Sequence, residues 1–196
     1  SFSKKIEVFG INPNCIVVVY DGLGLFSAAR LLWLFHLYGF TNVFILDGGL
    51  PKWLSENRAV DSKIVIHEQC HFLTSYCKEL VMDLDQMVAC IGSIDVQIVD
   101  ARPYKRFLGL VPEPREGVRS GKIPSSVNLF YGDLIGEDNT LKPTQALEKI
   151  VKSLGINLDK HIVASCGSGV TAAILYIVFK GLGAKRVSVY DGSWCE

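Results

Sequence analysis

His161-Ile162-Val163-Ala164-Ser165-Cys166-Gly167-Ser168-Gly169-Val170 repeats the plan of Ile16-Val17-Val18-Val19-Tyr20-Asp21-Gly22-Leu23-Gly24-Leu25. In each stretch a β-branched or apolar run reads as a buried strand, the x-Gly-x-Gly segment as a turn, and the apolar residues beyond it as a helix. Each unit then closes on a second strand and an Asp-Gly pair, Leu46-Asp47-Gly48-Gly49 in the first and Tyr190-Asp191-Gly192-Ser193 in the second, followed by Trp53 and Trp194. The separation is 145 residues at the turn (21 to 166) and 144 at the Asp-Gly pair (47 to 191). Two similar units therefore follow one another.

Outward from these anchors, short apolar strands alternate with helical patterns. Strands are expected at Ile16–Tyr20, Val43–Leu46, Val96–Val99, His161–Ser165 and Val187–Tyr190. Helices are expected over Leu25–Tyr38, Pro143–Leu154 and Gly169–Leu182, with a short one near Asp83–Cys90. Continuous apolar strands separated by helices predict an α/β fold, each unit a parallel sheet flanked by helices on both faces. Asp100-Ala101-Arg102 lies 66 residues before Cys166, and the matching point of the first unit would fall at position −45 (21 − 66), ahead of Ser1. The arithmetic leads to the expectation of a fragment. Residues 1–60 are read as the C-terminal half of a first domain, 61–92 as the connection, and 93–196 as a nearly entire second domain.

Of the 196 residues 49% are hydrophobic and 20% charged, enough apolar material to bury a core. Twenty basic and twenty acidic side chains cancel, which speaks against a nucleic-acid partner held by a broad basic surface. No stretch approaches the roughly 18 consecutive apolar residues of a membrane-spanning helix, and Leu25–Phe40, the greasiest, is broken by Arg30 and His36. Six scattered cysteines (15, 70, 77, 90, 166, 195) fit reduced thiols in a cytosol-like compartment.

Cys166 is the sharpest chemical candidate. Gly167 and Gly169 let the loop curl so that successive N–H groups point inward, and the following helix aims its positive end at the same place. An anionic sulfur there has donors already arranged, whereas a merely structural cysteine needs no such turn. A phosphatase would place an Arg six residues after its Cys; position 172 is Ala, so phosphate chemistry is disfavoured. Arg106 and Arg115, on a segment stiffened by Pro112 and Pro114 and bent by Gly109 and Gly117, suit a carboxylate, although spacing alone favours a solvated charged loop.

Cys166-Gly167-Ser168-Gly169-Val170-Thr171-Ala172 resembles the active-site loop of the 3-mercaptopyruvate sulfurtransferases of the two-domain rhodanese superfamily. The resemblance extends over essentially the whole chain. It is carried in the first unit by Val19-Tyr20-Asp21-Gly22 and Leu46-Asp47-Gly48-Gly49-Leu50. In the second it rests on Asp100-Ala101-Arg102, Arg106-Phe107, Pro112-Glu113-Pro114-Arg115, Arg119-Ser120-Gly121-Lys122-Ile123-Pro124 and Tyr190-Asp191-Gly192-Ser193-Trp194. It implies tandem rhodanese-like domains with the site at their interface. Cys166 would take sulfur from 3-mercaptopyruvate as a persulfide and release pyruvate, and a thiol such as thioredoxin, or cyanide, would accept the sulfur. Arg106 and Arg115 match the carboxylate-binding pair, the backbone of Gly167, Ser168, Gly169, Val170 and Thr171 the persulfide cradle, and Ser168 a hydroxyl that handles protons.

The resemblance implies no metal or organic cofactor, no nucleic acid and no membrane, and a cytoplasmic or alternatively mitochondrial setting. Thiosulfate-preferring relatives carry cationic side chains after the Cys; Gly167 and Ser168 are neutral, which favours mercaptopyruvate. The alternatives are a thiosulfate sulfurtransferase and a catalytically silent rhodanese-like binding module. Asp21 stands at the cysteine position of the first unit, which is therefore expected to be silent. The His and Asp that partner the loop serine in relatives have no match in His36, His67, His71 or His161, and Lys122 stands where the family has a His.

His67-Glu68-Gln69-Cys70-His71 matches the His-Glu-x-x-His zinc pattern, which needs both histidines one turn apart on a helix and a third ligand. Ile64-Val65-Ile66 leads into it as a strand, so the match is discounted. Asp21-Gly22-Leu23-Gly24 lacks the third glycine and the Lys of nucleotide loops, and the repeat already explains it.

Overall fold

The computed structural model describes residues 2–72 and 74–196. The first repeat opens with α1 (Phe2–Glu7), followed by β1 (Val17–Val19), α2 (Ala28–Leu37), β2 (Val43–Ile45) and α3 (Gly49–Ser55). The second runs β3 (Val81–Met82), α4 (Leu84–Cys90), β4 (Val96–Asp100), α5 (Tyr104–Phe107), β5 (Val127–Asn128), α6 (Thr144–Ser153), β6 (His161–Ser165), α7 (Ala172–Gly181) and β7 (Arg186–Tyr190). All strand pairs are parallel: β1 with β2, and a five-stranded sheet in the order β3-β7-β6-β4-β5. The α/β expectation holds.

β6 is central because its side chains are apolar on both faces. Ile162 and Ala164 share a core with α6 and α7, while Val163 faces Met82, Met87, Ile98, Tyr190 and Trp194 on the other side. α6 is amphipathic and buries Leu147 and Val151, as a helix lying on a sheet with one flank in water must. α7 instead buries Ala172, Ala173, Ile174, Leu175, Tyr176, Val178 and Phe179, nearly its whole circumference. One side rests on the sheet and the other on α2, where His36 Nδ1 lies 3.0 Å from the Tyr176 hydroxyl. Burying those seven side chains supplies on the order of 10 kcal/mol of apolar transfer, and much of it depends on both repeats being present.

The two repeats keep the 145-residue offset through β1 and β6 and the 144-residue offset from α2 and α7 onward. The missing residue is thus in the turn itself: seven positions separate Asp21 from Ala28, and six separate Cys166 from Ala172. The register also corrects the pairing of tryptophans. Trp194 takes the place of Leu50, since their N–H groups donate to the Cys166 and Asp21 carbonyls, both at 3.0 Å.

Ile64-Val65-Ile66, expected as a strand, is irregular and exposed, with Ile64 and Ile66 each 91% accessible. β-Branched residues form strands where a neighbouring edge and a half-buried face are supplied, and this segment has neither. The histidines of 67–71 consequently do not share a helix face; His71 is almost fully exposed beside Glu7. Among the described residues no group of three or more His, Cys, Asp or Glu is arranged to hold a metal ion, and no helix is long and apolar enough to cross a membrane.

Candidate active site

Cys166 follows directly from β6 at the carboxyl edge of the sheet, where open α/β folds place their ligands. Residues 167–171 turn the chain into α7, and Gly169 does so at φ +76°, a conformation open to glycine at little cost. Cys166 is 2% exposed, and Gly167, Ser168, Val170 and Thr171 are half-buried around it. A 3-10 turn at Ser193–Cys195 closes over this loop: Trp194 and Cys195 donate their N–H groups to the carbonyls of Cys166 and Gly167, each at 3.0 Å.

Ser193 is a residue that sequence reasoning quoted in a motif but did not place at the site. Its hydroxyl accepts the Cys166 N–H at 3.2 Å, donates to the Tyr190 carbonyl at 2.9 Å, and lies 3.9 Å from Sγ. It adopts φ +56°, unusual for a non-glycine residue, while its counterpart Gly49 has φ +54°. That register was the available signal: a serine where the other repeat uses a glycine.

Arg106 reaches the loop from α5 through a buried charge network. Arg102, 1% exposed, is clamped by Asp100 through Nε and Nη2 (2.7–3.1 Å) and reaches Glu113 Oε1 at 2.9 Å. Burial opposes the Arg102 charge, but Asp100 and Glu113 outweigh it and raise its pKa. Glu113 likewise feels burial pushing it up, and Arg106 and Arg102 together pull it below the usual carboxylate range. Glu113 takes Nε and Nη2 of Arg106, and Nη2 lies so close to Gly167 that a Cβ there would sit 2.8 Å away. Arg115 is exposed on the same loop, and no hydrogen bond or ion pair holds its side chain among the described residues. The structure thus brings Arg106 to the cysteine turn and leaves Arg115 outside it.

The turn of the first repeat displays what this geometry binds. Asp21 Oδ1 accepts from the Leu23 N–H at 2.8 Å, and Oδ2 from Ser27 and Ala28 at 2.6 and 2.8 Å. Burial raises the Asp21 carboxyl, yet those three amides prevail and hold it below its ordinary value. The corresponding positions of the second repeat are Ser168, Thr171 and Ala172. The repeats also grip each other reciprocally. Asp47 Oδ1 accepts the Leu141 N–H at 2.9 Å, and Asp191 pairs with Arg30 of α2 at 2.5 Å.

The model of the rhodanese-like domain matches residues 1–56 and 83–196. The chain belongs to the rhodanese family. It is 39% identical to thiosulfate/3-mercaptopyruvate sulfurtransferase 2 of Arabidopsis thaliana over all of its own length and 64% of that protein's. It is 35% identical to the 3-mercaptopyruvate sulfurtransferase of Escherichia coli, again over its whole length and 69% of the relative's. The crystal structure of SseA, a 3-mercaptopyruvate sulfotransferase from Escherichia coli, aligns with all of the chain and 72% of its own at a TM-score of 0.87 and 33% identity. The chain therefore spans less than two thirds of the Arabidopsis relative, and the rhodanese-like match takes in most of both repeats.

Proposed function

We propose that this rhodanese-family chain is a sulfurtransferase whose Cys166 takes sulfur from 3-mercaptopyruvate and passes it, as a persulfide, to a thiol such as thioredoxin or to cyanide. The observation that carries the reading is the internal control: the same turn in the first repeat already holds an anion on three converging amides. In the second turn, one residue shorter, the matching N–H groups are those of Ser168, Thr171 and Ala172, and on this reading they receive the sulfur of Cys166.

In the first half-reaction the Cys166 thiolate attacks the sulfur of mercaptopyruvate. The S–S bond forms as the C–S bond breaks, and the electron pair goes to carbon as the enolate of pyruvate. The proton of the substrate thiol ends on that carbon, so pyruvate leaves and the persulfide keeps the negative charge. Ser168 is the hydroxyl assigned to that proton transfer. Arg106 takes the substrate carboxylate with Nη1, the nitrogen not committed to Glu113, and Arg115 swings in from solvent to complete the pair. The backbone of Gly167, Ser168, Gly169, Val170 and Thr171 surrounds the persulfide. Residues 93–196 form the bulk of the catalytic domain, which also takes in β3 and α4 from the end of the 61–92 connection, and residues 1–60 form the silent half-domain.

Thiosulfate is the second reading, favoured by the double donor name of the Arabidopsis relative; the neutral Gly167 and Ser168 argue against a dianion. The cysteines, all free among the described residues, support a reducing setting, cytoplasmic or alternatively mitochondrial. The test is an intact-mass measurement after brief exposure to either donor, with Cys166→Ser beside it. One sulfur atom gained from mercaptopyruvate and absent in the variant is expected. Gain from thiosulfate alone moves the assignment to the second reading, and gain from neither sinks the enzyme and leaves the binding module.

A further inference from the structure

The resemblance gives the first repeat no chemistry, yet one of its side chains reaches the cysteine turn. Arg30, on α2, donates from Nη1 to the Gly169 carbonyl at 3.3 Å and pairs through Nη2 with Asp191 at 2.5 Å. Its guanidinium lies 4.4 Å over the ring of Trp33, which is fully buried and donates from Nε1 to the Leu80 carbonyl at 3.0 Å. Three restraints thus fix a planar group whose fork addresses two acceptors at once.

The consequence follows from peptide geometry. The Gly169–Val170 peptide is planar and trans, so the Gly169 carbonyl and the Val170 N–H point in opposite directions. Holding the carbonyl on Arg30 therefore also fixes the direction of the Val170 N–H, away from Arg30. Glycine permits several orientations of that peptide, and Gly169 is packed so closely that a Cβ would lie 2.7 Å from the Asp191 carbonyl and 3.0 Å from Arg30 Nη1. We infer that Arg30 is a positioning residue: the first repeat supplies the group that holds the Cys166 turn in its anion-binding shape. The inference rests on the sulfurtransferase reading for its chemistry, although the geometry stands apart from it.

Three variants of the 196-residue chain test this: R30M, R30K and D191N, each assayed well below its own melting temperature. R30M is expected to slow single-turnover sulfur loading from 3-mercaptopyruvate on the order of 10- to 100-fold with KM within about twofold. D191N keeps the carbonyl bond and loads within about threefold of wild type; R30K keeps the ion pair with Asp191, loses the fork, and stays slow. Alkylation of Cys166 by iodoacetamide needs no sulfur donor, and R30M should react several-fold more slowly because its thiolate has lost an ordered amide. Wild-type loading and alkylation rates in R30M overturn the inference, as does D191N falling as far as R30M. If the wild type takes sulfur from no donor, the sulfurtransferase reading fails. The alkylation rates then decide the positioning role alone: slower in R30M supports it, unchanged or faster overturns it.

Discussion

The turns at Asp21 and Cys166 share a strand, two glycines, a following helix and a carbonyl that accepts from the closing segment, yet differ in what fills them. In the first, the protein's own carboxylate occupies the amides, and the site is satisfied from within. In the second, the residue is a buried thiol whose N–H and sulfur are both attended by Ser193. The backbone of the first turn receives an anion, and on the proposed reading the second does the same for the sulfur of Cys166. On the proposed reading, reactivity comes from a thiol set in a frame that the first repeat fills with its own carboxylate.

The hardest test of that comparison is to make the second turn like the first. C166D should abolish sulfur loading, a loss of at least about 10³-fold. It should also leave the protein as stable as wild type or more stable by about 1 kcal/mol, the worth of a carboxylate on helix-terminal amides. A thermal melt showing a large loss instead would break the equivalence, because a buried carboxylate without donors is costly. Next comes a feature with no counterpart at Asp21: Glu113→Ala strands Arg102 in the core. It should cost about 3–5 kcal/mol in denaturant unfolding, and sulfur loading should fall as Arg106 loses its anchor.

The reverse test empties the first turn. D21N should cost about 1–2 kcal/mol near neutral pH. Because the folded Asp21 carboxyl lies below its unfolded value, its contribution is present above the unfolded pKa of about 3.9 and is lost as pH falls through the folded value. The stability gap between wild type and D21N should therefore close in urea titrations carried below about pH 4. Smallest is S193G, which gives the second turn the glycine of the first. Relief of the left-handed backbone offsets lost hydrogen bonds to within about 1 kcal/mol, while loading slows several-fold. Unchanged loading would remove Ser193 from the site.

Strong periodicity was legible. The strand predicted at His161–Ser165 is found with those bounds, and α6 and α7 lie inside the predicted helices. α2 and α7 each begin three residues after the predicted start, because residues 25–27 and 169–171 are spent on the turn. β3 and β5 carry no readable pattern: each has two residues and exists by pairing with a distant strand. Ile64-Val65-Ile66 shows the converse, a strand composition with no edge to join. Cys166 and the loop around it were legible because the repeat marks them twice. Arg30 was visible only as a charge interrupting an apolar helix, and its target lies 139 residues away. Arg106 and Arg115 read alike in sequence, but the Asp100–Arg102–Glu113 network, which anchors just one of them, forms only in three dimensions.

The strand order also sets a timetable for synthesis. β1 and β2 pair Val17 with Val43, so the first repeat has its own partner after 26 further residues. β3 must wait for β7, because Val81 pairs with Val189, 108 residues later. At about 5–20 residues per second that delay is roughly 5–20 s, during which Met82 and Met87 have no finished sheet to cover. The first repeat is thus the half made early, and the first surface on which the second can assemble.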